Sequence, residues 1–98
     1  MSIEEIQKEI VEEFSLYEDW MDKYGYLIEL GNRLEELEPR YKTDQYLIKG
    51  CQSRVWLAAE RREGKIFFKG ESDAVIVKGL VALLLRVFSG RNPKEIIE

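Results

Sequence analysis

Residues 55–88 read VWLAAERREGKIFFKGESDAVIVKGLVALLLRVF, and this stretch decides the fold. Two β-prone runs, residues 55–59 and 65–69, flank Arg61-Arg62-Glu63-Gly64. A four- or five-residue connection containing Gly between two such runs predicts a hairpin. Gly70 closes the second run. From residue 74 to residue 88 the pattern becomes helical, with Ser72 or Asp73 placed to cap it. Val75, Ile76, Val77, Leu80, Val81, Leu83, Leu84, Leu85, Val87 and Phe88 leave little of its circumference polar. Such a helix is expected to be largely buried.

Working outward, Ser2 and Glu5 form a capping-box pair, and Ile3, Ile6, Ile10, Val11 and Phe14 follow at helical spacing. Leu16, Trp20, Tyr24, Leu27, Leu30, Leu34 and Leu37 predict one long second helix or two collinear ones, with Ser15 as cap and Pro39 as stop. Gly25 and Gly31 fall inside this pattern, each at a cost of about 1 kcal/mol relative to Ala. They mark a break or the close approach of another backbone. Residues 40–44 are loop-like, and Tyr46-Leu47-Ile48 predicts a short third strand. Gly90 ends the apolar helix, and Asn92-Pro93 opens a last one.

The expected architecture is α+β: two acidic helices, a small antiparallel three-stranded sheet, and the apolar helix packed on it. These elements cover that helix only in part. Exposed apolar surface is therefore expected, covered by a further segment or by a second copy in a homodimer.

Ninety-eight residues, 45% hydrophobic and 35% charged, suit one globular domain. There is no His, which excludes a His general base, a His metal ligand and a Ser-His-Asp triad. One Cys excludes an intrachain disulfide and a multi-Cys metal site, so no metal is expected. The net charge is −4, distributed as −9 over residues 1–38, +2 over 39–53 and +3 over 54–98. This acidic balance argues against a nucleic-acid partner. The acidic face is solvated, or is presented to a partner. The N-terminus is acidic where a secretory signal is basic, and the apolar run falls short of the roughly 20 residues that span a bilayer. A cytoplasmic chain without membrane attachment is expected, where a free thiol is stable.

That thiol, Cys51, sits in Lys49-Gly50-Cys51-Gln52-Ser53-Arg54, between two β-prone runs and therefore on a turn. The neighbouring cations Lys49 and Arg54 favour the thiolate and would draw the thiol pKa below its usual ~8.5. The residues alone leave two readings open: a small buried hydrophobe or a reactive sulfur.

Gly50-Cys51-Gln52-Ser53-Arg54-Val55-Trp56, with Gly70-Glu71-Ser72-Asp73-Ala74, Val77-Lys78-Gly79-Leu80 and Tyr26-Leu27-Ile28-Glu29-Leu30-Gly31, resembles the SufE family over almost the whole chain. The resemblance implies a SufE/IscU-like fold and a sulfur acceptor, not an enzyme with a small substrate of its own. On this reading Cys51 takes sulfur as a transient persulfide from a pyridoxal-phosphate-dependent, SufS-like cysteine desulfurase and stimulates its turnover. It then passes the sulfur to a SufBCD-like iron–sulfur cluster scaffold, with no resident cofactor. Gly50, Gln52, Ser53, Arg54, Trp56, Ser72, Asp73 and Lys78 are the expected loop-supporting or partner-binding residues. Of these, Gln52 and Ser53 are expected to hold the loop, Trp56 to lie in the core, Ser72 and Asp73 to cap a helix, and Lys78 to pair with an acid of the first helices. An alternative is an adaptor that docks a desulfurase without carrying sulfur. A one-Cys peroxidase is a third reading, lacking a visible resolving thiol or base. Family members usually continue several dozen residues further, through a Ser-Arg-x-x-Gly-Leu-type segment. The expectation is one SufE-like domain over residues 1–98 without those C-terminal helices.

Overall fold

The computed structural model describes residues 2–50 and 52–97. In chain order they form α1 (Ile3–Ser15), α2 (Trp20–Asn32), a 3-10 turn (Pro39–Tyr41), β1 (Val55–Arg62), β2 (Lys65–Ser72), α3 (Val75–Phe88) and α4 (Pro93–Ile97). The two strands pair antiparallel from Val55↔Ser72 to Arg62↔Lys65. Arg61 and Arg62 therefore belong to the ladder, and the connection is two residues rather than four or five. Glu63 and Gly64 both take positive φ, +51° and +77°, which is the geometry of a tight I′-type hairpin turn.

The sheet has two strands, not the three expected. Leu47 makes only an isolated antiparallel bridge to Trp56, fixed by Ile48 N–H donating to Val55 O at 2.8 Å and Leu57 N–H donating to Tyr46 O at 3.0 Å. Three β-prone residues between a turn and Lys49-Gly50 are too few for a ladder, and Gly50 at φ +89° turns the chain away.

Alternation along β1 separates the two faces of the hairpin. On one face Ala58 packs with Leu37 and Tyr41, with Tyr46 and Trp56 partly buried beside them. Leu37 is only 2% exposed, and burying a Leu fully contributes about 2–3 kcal/mol. That burial explains why α2 stops early. The expected helical pattern ran from Leu16 to Leu37, but the helix spans Trp20–Asn32, with Asp19 rather than Ser15 as its N-cap. Asp19 Oδ1 accepts the Asp22 N–H at 2.9 Å, while Ser15 Oγ donates to Val11 O inside α1. After Arg33 the chain leaves the helix and crosses under the hairpin.

On the other face lies α3, close enough that a Cβ on Gly70 would fall 2.8 Å from Val81 Cγ1. Behind α3 runs α2, and the two backbones meet at Gly31 and Gly79. Gly31 is thus the close approach the sequence allowed for, whereas Gly25 has nothing within 4 Å of an added Cβ. These neighbours bury Val81 and Val87, but Val75, Ile76, Leu80 and Leu84 remain 44–56% exposed. The expectation of a largely buried helix holds for its inner half only. Ser2 and Glu5 form the expected capping box on α1, and Asn92 Oδ1 accepts the Glu95 N–H at α4.

Arg86, to which the sequence reading assigned no role, ties α3 to α1. Its Nη2 donates to Glu9 Oε1 at 2.6 Å and its Nη1 to Glu13 Oε1 at 2.8 Å. Tyr26 Oη, on α2, donates to the same Glu13 oxygen. Hydrogen bonds from Arg86 and then Tyr26 hold the Glu13 carboxyl at about 2, below its ordinary 4.5. The folded state therefore binds this proton later than the unfolded chain. The stabilisation is complete above about pH 4.5 and is lost as pH falls toward 2. Glu13→Gln is expected to cost about 1–2 kcal/mol at pH 7, after allowance for partial solvent screening. It should also flatten the loss of stability between those two pH values. Urea unfolding at several pH values checks both; equal acid dependence in the two proteins would exclude the network as its source.

Candidate functional site

Residues 49–54 leave and rejoin the hairpin at one point. The Ile48–Val55 hydrogen bond closes the loop at its base. Gly50 turns it at positive φ, with open space around the position of a Cβ. Lys49, Gln52 and Arg54 are exposed and Ser53 is half-buried. Cys51 itself lies outside the described residues.

The outgoing end of the loop is clamped. Asp73 Oδ1 accepts the Arg54 N–H at 3.0 Å, and the Asp73 N–H donates back to Arg54 O at 3.2 Å. Ser72 Oγ donates to the same carbonyl at 2.8 Å and accepts the Ala74 N–H at 3.2 Å. So Ser72 and Asp73 do not cap α3, which begins at Val75, one residue later than expected, with Ala74 as an N-cap that makes no side-chain hydrogen bond. Their polar atoms are spent across the β2–α3 junction, holding the residue three places after Cys51. The paired register of Val55 with Ser72 brings them there. Gln52 and Ser53, expected to hold the loop, make no side-chain hydrogen bond among the described residues.

Beside this base opens an apolar groove of about 390 Å³ between the hairpin and α3. Ile48 and Val55, the two residues that close the loop, form its near end, and Leu57, Val81, Leu84 and Phe88 continue it. On the opposite face of β1, Trp56 turns away from the groove into the Leu37 cluster. Next to Ser72, Glu71 holds two cations, Lys42 Nζ at 2.7 Å and Lys78 Nζ at 3.8 Å. Lys78 is thus paired with an acid of β2, not of the first helices, because the short junction sets the first turn of α3 against the end of that strand. The acids of α1 are met by Arg86 instead. Among the described residues no group of three His, Cys, Asp or Glu side chains is arranged to hold a metal ion. Among the same residues no helix is long and apolar enough to cross a membrane.

The family model described as SufE, Fe-S metabolism associated domain, matches residues 8–98. The chain belongs to the SufE family. It is 40% identical over 92 residues to an uncharacterized SufE-like protein of Rhizobium meliloti (strain 1021), an alignment covering 90% of this chain. The chain spans 66% of the length of that relative. Membership places its role in iron–sulfur metabolism.

Within this SufE domain the structure gathers Gly50, Arg54, Ser72 and Asp73 around one loop, and sets Trp56 and Lys78 apart from it. Sequence reasoning missed the closing role of Ile48 and Val55, since backbone pairing leaves no signature in residue type. It also missed Glu71, whose position opposite Trp56 is visible only once the register is known.

The clamp has a measurable consequence. Asp73→Ala removes the acceptor for the Arg54 N–H, and a hydrogen bond to a charged acceptor contributes about 1.5 kcal/mol. Amide exchange at Arg54 and its neighbours should quicken about tenfold, and alkylation of Cys51 should accelerate, while α1 and α2 exchange as before. Unchanged protection at Arg54 would rule the clamp out.

Proposed function

We propose that the chain is a sulfur acceptor. Its Cys51 thiolate attacks the outer sulfur of a persulfide on a pyridoxal-phosphate-dependent cysteine desulfurase. A Cys51–S bond forms, the donor S–S bond breaks, and the desulfurase cysteine leaves as thiolate. The persulfide proton stays with the transferred sulfur, so no external oxidant, reductant or metal is needed. A cluster scaffold then receives that sulfur by a second exchange of the same kind. Emptying the donor persulfide is what stimulates the desulfurase.

One observation carries this reading: the sequence puts the single Cys of a SufE domain between Gly50 and Gln52, and the described residues on either side are pinned at Ile48–Val55 and at Arg54, with Lys49 and Arg54 as neighbouring cations. Two fixed ends limit the number of positions the sulfur can sample, which favours productive docking. The cations favour the thiolate. The groove that begins at Ile48 and Val55 supplies a dry wall against which a persulfide is protected from reductants in transit.

The test is intact-mass analysis after mixing the chain with a desulfurase, cysteine and pyridoxal phosphate. A gain of one sulfur atom, lost on reduction and mapped to Cys51, is expected. Faster desulfurase turnover with no sulfur on this chain at any time would instead favour the docking adaptor.

A further inference from the structure

The first turns of α2 carry a surface that neither the fold nor the Cys51 loop uses. Trp20 is 69% exposed, Met21 80% and Tyr24 46%. Trp20 and Tyr24, at i and i+4, share one face of the helix, with their ring centroids 6.1 Å apart, and Met21 borders that face about 100° round the axis. Three large apolar side chains thus form one patch in water. Trp, Tyr and Met are the types enriched at the centres of protein interfaces.

The surroundings of the patch are acidic. Glu18, Asp19 and Asp22 are exposed around it, within a segment, residues 1–38, whose net charge is −9. Lys23 is the cation at hand, and its Nζ already sits 4.8 Å from the Trp20 ring centroid. The ring therefore takes a cation on its face in the free chain.

The patch is also remote from the loop. Gly79 of α3 lies between Leu27 and Gly31 of α2, while Arg86, further along α3, meets the Glu13–Tyr26 pair. The two helices are antiparallel, so Trp20 and the loop clamp lie at opposite ends of the pair. At 1.5 Å per residue that is about 20 Å.

We propose that this patch is a docking surface for a basic amphipathic segment of a separate protein, with apolar side chains on one face and Lys or Arg flanking them. An acidic or neutral segment would bring like charge, or no compensation, against Glu18 and Asp22, and like-charge contact rejects wrong partners. The proposal is independent of sulfur transfer. A chain unable to accept sulfur would still dock here.

Nuclear magnetic resonance titration of the full chain with short synthetic helical peptides tests it. One peptide carries Leu on one face and Lys on the other, a second replaces Lys with Glu, and a third replaces Leu with Ser. Only the Leu/Lys peptide should shift the Trp20 indole N–H and the amides of residues 18–25. Its affinity should fall about tenfold or more on going from low salt to 0.5 M. Trp20→Ala with Met21→Ala should abolish the shift while the remaining amides stay in place, and Met21→Lys should weaken it. Equal binding of the Glu or the Ser peptide would overturn the proposal, as would shifts confined to the Ile48–Leu84 groove or no shift at all. Concentration-dependent dimerisation that buries Trp20 in the free chain would overturn it too, because the occupant would then be a second copy.

Discussion

Cys51→Ser is expected to abolish both sulfur loading and stimulation of a cysteine desulfurase, leaving turnover at the level of the desulfurase alone. The substitution changes one atom and leaves the Ile48–Val55 closure and the Asp73–Arg54 clamp intact. The variant should therefore fold and dock as the parent does. What it loses is the nucleophile. A serine hydroxyl is hardly ionised at neutral pH, whereas a free thiol near its usual pKa of ~8.5 is a few per cent thiolate and intrinsically nucleophilic. The two quantities to measure are desulfurase turnover with saturating chain and binding by titration calorimetry. Turnover should fall to the basal rate while the dissociation constant stays within about threefold, under 0.7 kcal/mol. If Cys51→Ser stimulates turnover as the parent does, sulfur acceptance is wrong and the chain acts by docking alone. Lost binding together with lost turnover would mean that the thiol itself is part of the docking contact.

The fold was legible where residue type and spacing act locally. The Ser2–Glu5 box, the α1 stripe, the hairpin, the Gly90 stop and the Asn92-Pro93 start are all short-range effects. Where the reading went wrong, a longer-range demand decided the outcome. The helical pattern of residues 16–37 contains good apolar spacing to its end. It breaks after Asn32 because Leu37 is worth more under the hairpin than on a solvent-facing helix. The third strand shrank to a bridge because the turn at Gly50 leaves no further residues to pair. At the candidate site, the sequence marks Cys51 as the chain's single thiol. The clamp was not legible, because Ser72 and Asp73 next to an apolar helix look like caps until the register sets them against Arg54. Lys78 meets Glu71 rather than an acid of the first helices, and Arg86, for which no partner was expected, meets those acids, for the same reason. Which acid a helical cation meets depends on how the helices cross, and no local pattern carries that.

The crossing itself gives the largest expected change in stability. Gly79→Ala should destabilise the chain by about 3 kcal/mol. Taken alone, Ala in place of Gly within a helix is favourable by about 1 kcal/mol. Packing reverses the sign. A Cβ at residue 79 would lie 2.3 Å from Leu27 O and 2.7 Å from Leu27 Cγ. Backbone oxygen cannot turn aside as a side chain can, so α2 and α3 must separate. Separation opens the Leu27 contact and strains the Arg86–Glu13–Tyr26 network, which ties these two helices to α1. It also moves the start of α3, to which Ser72 and Asp73 anchor the Cys51 loop. Gly25→Ala is the control in the opposite direction. It lies in the same helix system, with nothing within 4 Å of the added Cβ, and should stabilise by about 0.5–1 kcal/mol. In a domain of this size 1 kcal/mol moves Tm by about 4–8 °C, so the two variants should shift Tm by more than 10 °C down and a few degrees up. Two upward shifts would show that the helices have room to accept a methyl group, and that the Gly31–Gly79 contact does not set their separation.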